Sequence, residues 1–306
     1  MIRHNSLALA IAAIAAAAAP LAASAAPAHA AGSPALGAVY TASNDATANS
    51  ILVFNRLADG RLVPGDSVDT GGRGAGAGLG NQGGVRLTPD ERWLLAVNAG
   101  SDELSVLSVG DSSLTLSDVV SSGGSQPISV TANGGLVYVV NAVSDSIAGF
   151  RLDPQGHLTS LAGSVRSLGG SGTGPAEIAF SPDGNSLVVT EKNTNKIAVF
   201  PVDGNGLAGA PLVQDAAGTT PFGFAFGKRG QLFVSEAFGG AADASATSSY
   251  RLGSDGILSV ITPSAANSES SSCWSAVSPD GRLPTSPIPE AERFPAIAST
   301  STDTSR

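Results

Sequence analysis

The stretch from Leu136 to Leu158, LVYVVNAVSDSIAGFRLDPQGHL, decides the fold of this chain. Val137 to Val140 is a run of β-branched and aromatic residues, which predicts a strand. Asn141 to Asp145 is a polar turn, and Ile147 to Leu152 is a second strand that ends at the turn Pro154-Gln155-Gly156. The stretch therefore predicts two short strands joined by a tight turn.

Variants of this unit recur along the chain. Aligned on the end of the second strand, their anchor residues stand 43 to 54 positions apart: Asn44, Asn98, Asn141, Glu191 and Glu236. Each unit has three clear strands and a weaker fourth, which is typical of the four-stranded antiparallel blade of a β-propeller. The alternative, a β-sandwich, would not repeat at a fixed four-strand period. We therefore predict an all-β chain with a β-propeller fold.

The repeats resemble the YVTN-type blades of the lactonase family of seven-bladed β-propellers, which is related to 6-phosphogluconolactonases and carboxymuconate-cyclising enzymes. The stretches that look like a secreted bacterial branch of this family are 80–83, 189–195, 220–226, 234–237 and 273–274. The resemblance covers roughly residues 36–282. It implies about five complete blades and a partial sixth of an expected seven, and a lactonase-like hydrolase or cyclase activity.

The first thirty residues predict an export signal. Arg3 gives a positive start, residues 7–19 form an apolar run, and Ala28-His29-Ala30 is a small-x-small cleavage site. An uncleaved membrane anchor is the alternative, but the run is Ala-rich, is followed by Pro20 and is short for a bilayer span. We expect a signal peptide at 1–30, an incomplete propeller at 31–282 without a membrane span, and a secreted or periplasmic location.

Charge and composition narrow the range of partners. The net charge of −9 argues against nucleic acid and anionic membranes as partners. The single cysteine, Cys273, excludes an intramolecular disulfide and is interpreted as a small buried side chain beside Trp274. Histidine is limited to His4, His29 and His157, which argues against a Ser-His-Asp triad or a histidine metal centre. We therefore predict no cofactor and no metal.

A glycine-rich stretch, GGRGAGAGLGNQGG, covers Gly71 to Gly84. A phosphate-binding loop needs a strand before it and a helix after it, and here a strand follows. We interpret the stretch as a flexible loop between blades, in which Asn81 and Gln82 line one mouth of the central tunnel and bind ligand. Arg86, on the predicted inner strand that follows, could face an anionic ligand; a structural ion pair is the alternative.

Two acidic anchors are the candidate catalytic residues. Glu191 and Glu236 replace the blade asparagine at the same position, so repeat geometry predicts that both lie near the same rim, and Lys192 follows Glu191 directly. Two carboxylates and an ammonium around a central pocket could perform acid–base catalysis or bind a cation. The alternative is that each carboxylate caps a turn or pairs with the backbone of a neighbouring blade.

Residues 283–306 depart from the repeat and predict a disordered tail that arises from a frameshift. If each codon is regrouped from the last base of one codon and the first two of the next, Thr285 becomes Tyr, His, Asn or Asp, and Thr304 becomes His or Tyr. A permitted reading, YVSNTGSGTISGYRVDVDGHL, aligns without gaps with Tyr138 to Leu158. Sequencing the DNA around the Arg282 codon tests this, and an identical tail in independent isolates would argue against a sequencing error.

Two functions remain open at this point. The first is an exported lactonase-like protein that hydrolyses or cyclises a small lactone-type substrate in the central tunnel. The second is a non-catalytic binding or scaffold propeller that holds a protein or glycan partner in the tunnel or on its loop faces. The lack of histidine at the blade starts 127–130 and 175–178 favours the second, and the paired glutamates favour the first.

Overall fold

A computed structural model describes residues 35–110, 113–267, 270–278, 284–285 and 297–299. The predicted export signal and most of the predicted tail lie outside these residues, so both stay predictions. Within the described part of the chain, no helix is long and apolar enough to cross a membrane.

The described strands group into antiparallel blades in which chain neighbours pair, so that each blade is a meander. Blade 1 contains β1 (Gly37–Ala42), β2 (Ser50–Arg56) and β3 (Leu62–Asp69). Blade 2 contains β4 (Val85–Leu87), β5 (Trp93–Asn98), β6 (Glu103–Val109) and β7 (Leu114–Ser121). Blade 3 contains β8 (Pro127–Asn133), β9 (Leu136–Asn141), β10 (Ser146–Leu152), β11 (Leu158–Ser160) and β12 (Arg166–Ser167).

The later blades follow the same order. Blade 4 contains β13 (Pro175–Phe180), β14 (Ser186–Glu191), β15 (Lys196–Pro201) and β16 (Leu212–Asp215). Blade 5 contains β17 (Pro221–Phe226), β18 (Gln231–Glu236), β19 (Ala246–Leu252) and β20 (Leu258–Ala266), with a 3₁₀ turn at Phe238–Gly240. The predicted all-β propeller of four-stranded antiparallel blades is confirmed.

Short strands also occur in the C-terminal part of the chain. β21 (Ala276–Val277) pairs with β22 (Pro284–Thr285), at the place of the partial sixth blade. β23 (Ile297–Ser299) pairs with β1 and is the innermost strand of blade 1. In blades 2 to 5, the innermost strand is the first strand of that blade in the sequence. Pro284 stands first in its strand, where a missing backbone N–H does not interrupt the ladder. The rest of the tail lies outside the described residues.

The hydrophobic core lies between adjacent blades. One buried cluster joins Tyr138 and Val140 of blade 3 to Ile178, Val189 and Phe200 of blade 4. Strands with alternating side chains present one apolar set to each neighbouring sheet, so each blade is covered on both faces. This explains why the second strands of the blades are the most deeply buried.

Tyr138 shows how such a contact is fixed by polar groups. Its hydroxyl donates to the carbonyl of Gly206 at 2.8 Å and accepts from the Ala208 N–H at 2.9 Å. A buried tyrosine hydroxyl needs such partners, and here they tie blade 3 to the outer connection of blade 4.

In blades 2 to 4, the turn before the third strand is set by an acidic or amide residue in the left-handed region. Asp102, Asp145 and Asn195 have φ of 60°, 43° and 56°, a conformation that Asp and Asn tolerate better than most residues. Asp102 accepts from the Gln126 N–H at 2.6 Å, and Asn195 accepts from the Thr220 N–H at 2.7 Å. Each turn is thereby fastened to the connection that leads into the next blade.

The anchor residues lie at the ends of the second strands in blades 2 to 5, as the repeat predicts. Asn44 differs, because β1 ends at Ala42 and the turn that follows has seven residues where blades 2 to 4 have four. Asn44 therefore lies in the turn with φ of 54°. Its side chain accepts from the Ala75 N–H at 2.8 Å and donates to the Ala77 carbonyl at 2.7 Å, which holds the start of the glycine-rich loop.

We predict that Asn98→Ala lowers the free energy of unfolding by about 2–4 kcal/mol, because it leaves several buried polar groups without partners. Asn98 is fully buried, and its Oδ1 accepts from Asn49 Nδ2 at 2.9 Å and Thr70 Oγ1 at 2.7 Å, while its Nδ2 donates to Ser105 Oγ at 2.7 Å. Urea denaturation measures the change. The control is Asn205→Ala, in an exposed turn; an equal loss in both variants would contradict the assignment.

Candidate functional site

The glycine-rich loop crosses the first strands of several blades. Lys192 Nζ donates to the Gly80 carbonyl and, at 3.0 Å, to the Pro175 carbonyl at the start of β13. Its ammonium also lies 4.8 Å from the centre of the Phe222 ring. A desolvated cation beside two carbonyls and an aromatic face is a stable contact, so Lys192 fastens the loop to blades 4 and 5.

Asn81 continues the attachment of the loop. Its Nδ2 donates to the Ile128 carbonyl in β8, and its own carbonyl accepts from Trp274 Nε1 at 2.8 Å. The loop is therefore bound by side-chain hydrogen bonds to β8 and to the segment before β21. The expectation that it is simply a flexible connection overlooked these contacts, whose partners are far away in the sequence.

Gln82 reaches further in, to the strands that surround the central cavity. Its backbone N–H donates to the Ala176 carbonyl at 3.0 Å, and its Nε2 donates to Glu177 Oε1 at 3.2 Å. The same amide contacts the backbone of Phe224 in β17 and of Ser275, just before β21. Gln82 thus closes one end of the cavity and forms its floor.

A cavity of about 590 Å³ lies beyond Gln82. It opens towards the turns between first and second strands, since its walls come from the far ends of the first strands. Its lining combines charged, polar and small apolar residues: Gln82, Arg86, Leu87, Pro89, Thr131, Ala132, Asn133, Glu177, Ala179, Phe180, Ser181, Phe224, Ala225, Phe226, Ser275, Ala276 and Val277.

Arg86 and Glu177 are the oppositely charged pair in this cavity. Arg86 Nη2 lies 3.4 Å from Glu177 Oε1, and the Phe224 N–H donates to Glu177 Oε2 at 2.7 Å. The Glu177 side chain is 1% exposed, whereas that of Arg86 is 40% exposed. Burial raises the pKa of Glu177 to about 7, although Arg86, the Phe224 N–H and Gln82 each favour the charged form.

This geometry gives the predicted ligand-binding residues different roles. Arg86 does face the cavity, and it also forms the ion pair that the sequence allowed as the alternative. Gln82 lines the cavity, while the side chain of Asn81 is engaged with the backbone of β8. Glu177 was missed, yet its position carried a signal: it is a charged residue in an apolar first strand, aligned with Ser129 in blade 3.

Glu191 is buried at the end of β14 and belongs to a different environment. Its Oε2 accepts from Thr194 Oγ1 at 2.6 Å, and its Oε1 has no hydrogen-bond partner. Burial raises the pKa of Glu191, the Thr194 hydrogen bond and the Lys196 charge lower it, and the charge of Asp145 raises it further. The carboxylate thus lies beside the turn of blade 3 and caps its own turn through Thr194.

Glu236 is also fully buried, under the connection into blade 5. Both of its oxygens accept from serine hydroxyls, one from Ser248 and one, at 2.6 Å, from Ser264. A Cβ at Gly218 would lie 1.9 Å from Glu236 Oε2, so only glycine fits above the carboxylate. Gly72 covers Asn98 in the same way, which makes this a recurring structural feature of the blades.

Glu191, Glu236 and Lys192 do not line the cavity beside Arg86 and Glu177. Neither carboxylate is among the residues that line the cavity, and Lys192 points at the glycine-rich loop. Burial lowers the pKa of Lys192 to about 8. The geometry agrees with the structural alternative for the two carboxylates, while any catalytic role for these three residues stays a prediction. In the described part of the chain, no group of three or more His, Cys, Asp or Glu side chains could hold a metal ion.

Comparison with known proteins identifies relatives of this fold. The model of the lactonase family, described as a 7-bladed β-propeller, matches residues 9–171, which is more than half of the chain. An uncharacterised protein of Staphylococcus saprophyticus is 26% identical over 128 residues, which cover 40% of this chain and 36% of that protein. The chain thus matches about a third of the length of this curated relative.

Solved structures agree in fold at low sequence identity. A candidate 6-phosphogluconolactonase of Bacteroides fragilis is 22% identical with a TM-score of 0.57, and the match covers 69% of this chain and 63% of that one. The periplasmic gluconolactonase of Pseudomonas aeruginosa is 21% identical with a TM-score of 0.57, covering 76% and 69%. A protein of Lactobacillus plantarum is 21% identical with a TM-score of 0.59, covering 82% and 68%.

The buried Glu177 predicts a specific dependence of stability on pH. Its folded-state pKa of about 7 lies above the ordinary value of 4.5, so the native state binds the proton more tightly than the unfolded state. This contribution is fully present below about pH 4.5 and is lost as the pH rises through 7. Across that window, we expect the free energy of unfolding to fall by about 3 kcal/mol from this group.

The variant Glu177→Gln should remove this dependence, because glutamine does not ionise. Urea denaturation between pH 5 and 8 would show a flatter curve for Glu177→Gln than for the unchanged protein. Glu103→Gln, at the start of β6, is the matched control. Parallel curves for the unchanged protein and Glu177→Gln would mean that Glu177 titrates as an ordinary carboxyl.

Proposed function

Because the chain belongs to the lactonase family of seven-bladed β-propellers, we propose that it hydrolyses a small lactone in the cavity beside Arg86 and Glu177. The family match supports a lactone-related function at the coarse level. The candidate 6-phosphogluconolactonase and the periplasmic gluconolactonase are similar in fold, and what they act on is carried to this chain only as part of the proposal.

The observation that carries the proposal is the paired Arg86 and Glu177 at a cavity of suitable size. A buried carboxyl with a pKa of about 7 is divided between its acid and base forms at neutral pH, which suits a group that must both take and return a proton. Arg86 is partly exposed to the cavity and keeps donors beyond the one directed at Glu177.

These two residues can carry out ester hydrolysis in a balanced sequence. The Glu177 carboxylate takes a proton from a water molecule while the oxygen of that water bonds to the lactone carbonyl carbon. Arg86 donates hydrogen bonds to the oxyanion that forms. The ring C–O bond then breaks, and the leaving alkoxide takes the proton from Glu177. Lactone and water become a hydroxy acid, and the carboxylate is restored.

A second function is favoured by the hydrogen bonding of Glu177. Both of its oxygens already have partners, from Arg86 and Gln82 on one side and from the Phe224 N–H on the other. A carboxylate so fully engaged can serve as a structural pin between the first strands. The alternative is therefore a non-catalytic binding or scaffold propeller, with a protein or glycan partner on its loop faces or in the tunnel.

Hydrolysis of a lactone panel separates the two functions. We expect Glu177→Gln to lower kcat/KM by about 10²–10⁴-fold, as for the loss of a general base, with Glu103→Gln as the matched control. The rate in the unchanged protein should rise with pH through about 7, as the carboxylate forms. Folded protein that turns over no lactone would support the binding function instead.

The same assay tests the residues first proposed from the repeat. Glu191→Gln and Glu236→Gln should retain turnover if these carboxylates only support their loops. Lys192→Gln should affect turnover indirectly, by changing the position of the glycine-rich loop. If Glu191→Gln or Glu236→Gln lost as much turnover as Glu177→Gln, at unchanged stability, the catalytic role would be assigned to Glu191 or Glu236 instead.

The proposal includes an exported location, which rests on the predicted signal at residues 1–30. Activity should then be found in the medium or the periplasmic extract of cells that express the full chain. Turnover confined to the cytosolic fraction would refute the exported location while leaving the proposed chemistry intact.

A further inference from the structure

The side-chain amide of Gln82 has only one orientation that satisfies its surroundings. The Ser275 backbone N–H donates to Oε1 at 2.9 Å, so this atom must be the acceptor. Nε2 therefore carries two hydrogens, which are shared among three acceptors: Glu177 Oε1 at 3.2 Å and the carbonyls of Phe224 at 3.2 Å and Ser275 at 3.0 Å. A donor is thus fixed against the carboxylate.

The backbone at Gly223 leaves space for this amide. A Cβ at Gly223 would lie 2.0 Å from Gln82 Oε1, so glycine at that position permits the close approach of the side chain. The Gln82 N–H is bound to the Ala176 carbonyl, one residue before Glu177. Backbone and side chain of Gln82 are therefore both attached to the strand that carries the carboxylate.

The groups that face Glu177 come from different elements and differ in freedom. β4 contributes Arg86, whose partly exposed guanidinium can turn towards a ligand. β17 contributes the Phe224 N–H, which belongs to the sheet backbone. The glycine-rich loop contributes Gln82, which is held at its far end by Ser275.

We infer that Gln82 is the positioning residue of the cavity: it acts through Glu177, by keeping the carboxylate aligned and charged when Arg86 turns to a bound ligand. This role rests on the proposed function for its effect on turnover. Its effect on Glu177 itself does not depend on turnover, because the hydrogen bond from Nε2 to Oε1 joins two groups of the protein.

A titration of Glu177 by NMR tests the inference. In the full chain labelled with ¹³C-glutamate, the Glu177 carboxyl signal is identified by its absence in Glu177→Gln. Gln82→Met keeps the length of the side chain but removes the donor, which disfavours the charged carboxylate. We expect the Glu177 midpoint to rise by about one pH unit.

With a lactone substrate, the kcat of Gln82→Met should fall about tenfold while KM changes little, and the acid limb of the rate profile should shift by about one pH unit.

Two further variants keep the test decisive. Asn81→Ala is the matched control, since it removes a hydrogen bond from the same loop without touching Glu177; its Glu177 midpoint should not move. If Gln82→Met does not fold, Gln82→Glu retains an acceptor for Ser275 and places a second carboxyl beside Glu177. The pair should then titrate in two steps, the upper one above the midpoint of the unchanged protein.

The outcomes separate this inference from the proposed function. An unmoved midpoint in Gln82→Met, or an equal shift in Asn81→Ala, overturns the role of Gln82. A raised midpoint in a protein that turns over no lactone supports the role of Gln82 and refutes the proposed hydrolysis.

Discussion

The structure depends on the packing of each sheet against the next. A blade has two apolar faces and a short inner strand, and both faces are buried only when the blade lies between two neighbours. At the boundary of blades 3 and 4, for example, Tyr138 and Phe200 belong to one buried cluster. Polar groups at these boundaries must be satisfied at the same time, because an unpaired buried donor or acceptor costs about 1–3 kcal/mol. Asp102, Asp145 and Asn195 meet this requirement by fastening each turn to the following connection.

The same constraint acts on the buried anchor residues at the ends of the second strands. Asn98, Glu191 and Glu236 occupy the end of the second strand, beneath or beside the connection between blades. In this position Thr194 donates to one oxygen of Glu191, and Ser248 and Ser264 donate to the two oxygens of Glu236. Glutamate in place of asparagine therefore finds its hydrogen-bond donors within its own blade.

Sequence reasoning predicted the fold because the repeat is local. Strand, turn and strand follow one another within about twenty residues, as in Leu136 to Leu158, and the period identifies the blade. The site was less accessible, because Glu177, Gln82 and Phe224 meet only through the assembled first strands. No spacing rule connects them, and the position of Glu177 gave only the weak signal of a charge in an apolar strand. The seven-residue turn after β1 also displaced Asn44 from the place that the alignment gave it.

The contacts of Gln82 also have a kinetic consequence. Its partners are 95, 142 and 193 residues away along the chain, so the floor of the cavity closes very long loops. Such contacts are made late, since the entropy of loop closure must be overcome before they stabilise anything. During synthesis, the glycine-rich loop is made before its partners, which follow in the order Glu177, Phe224 and Ser275. The floor of the cavity therefore forms late, and a nascent chain that ends before Ser275 contains folded blades without a finished floor.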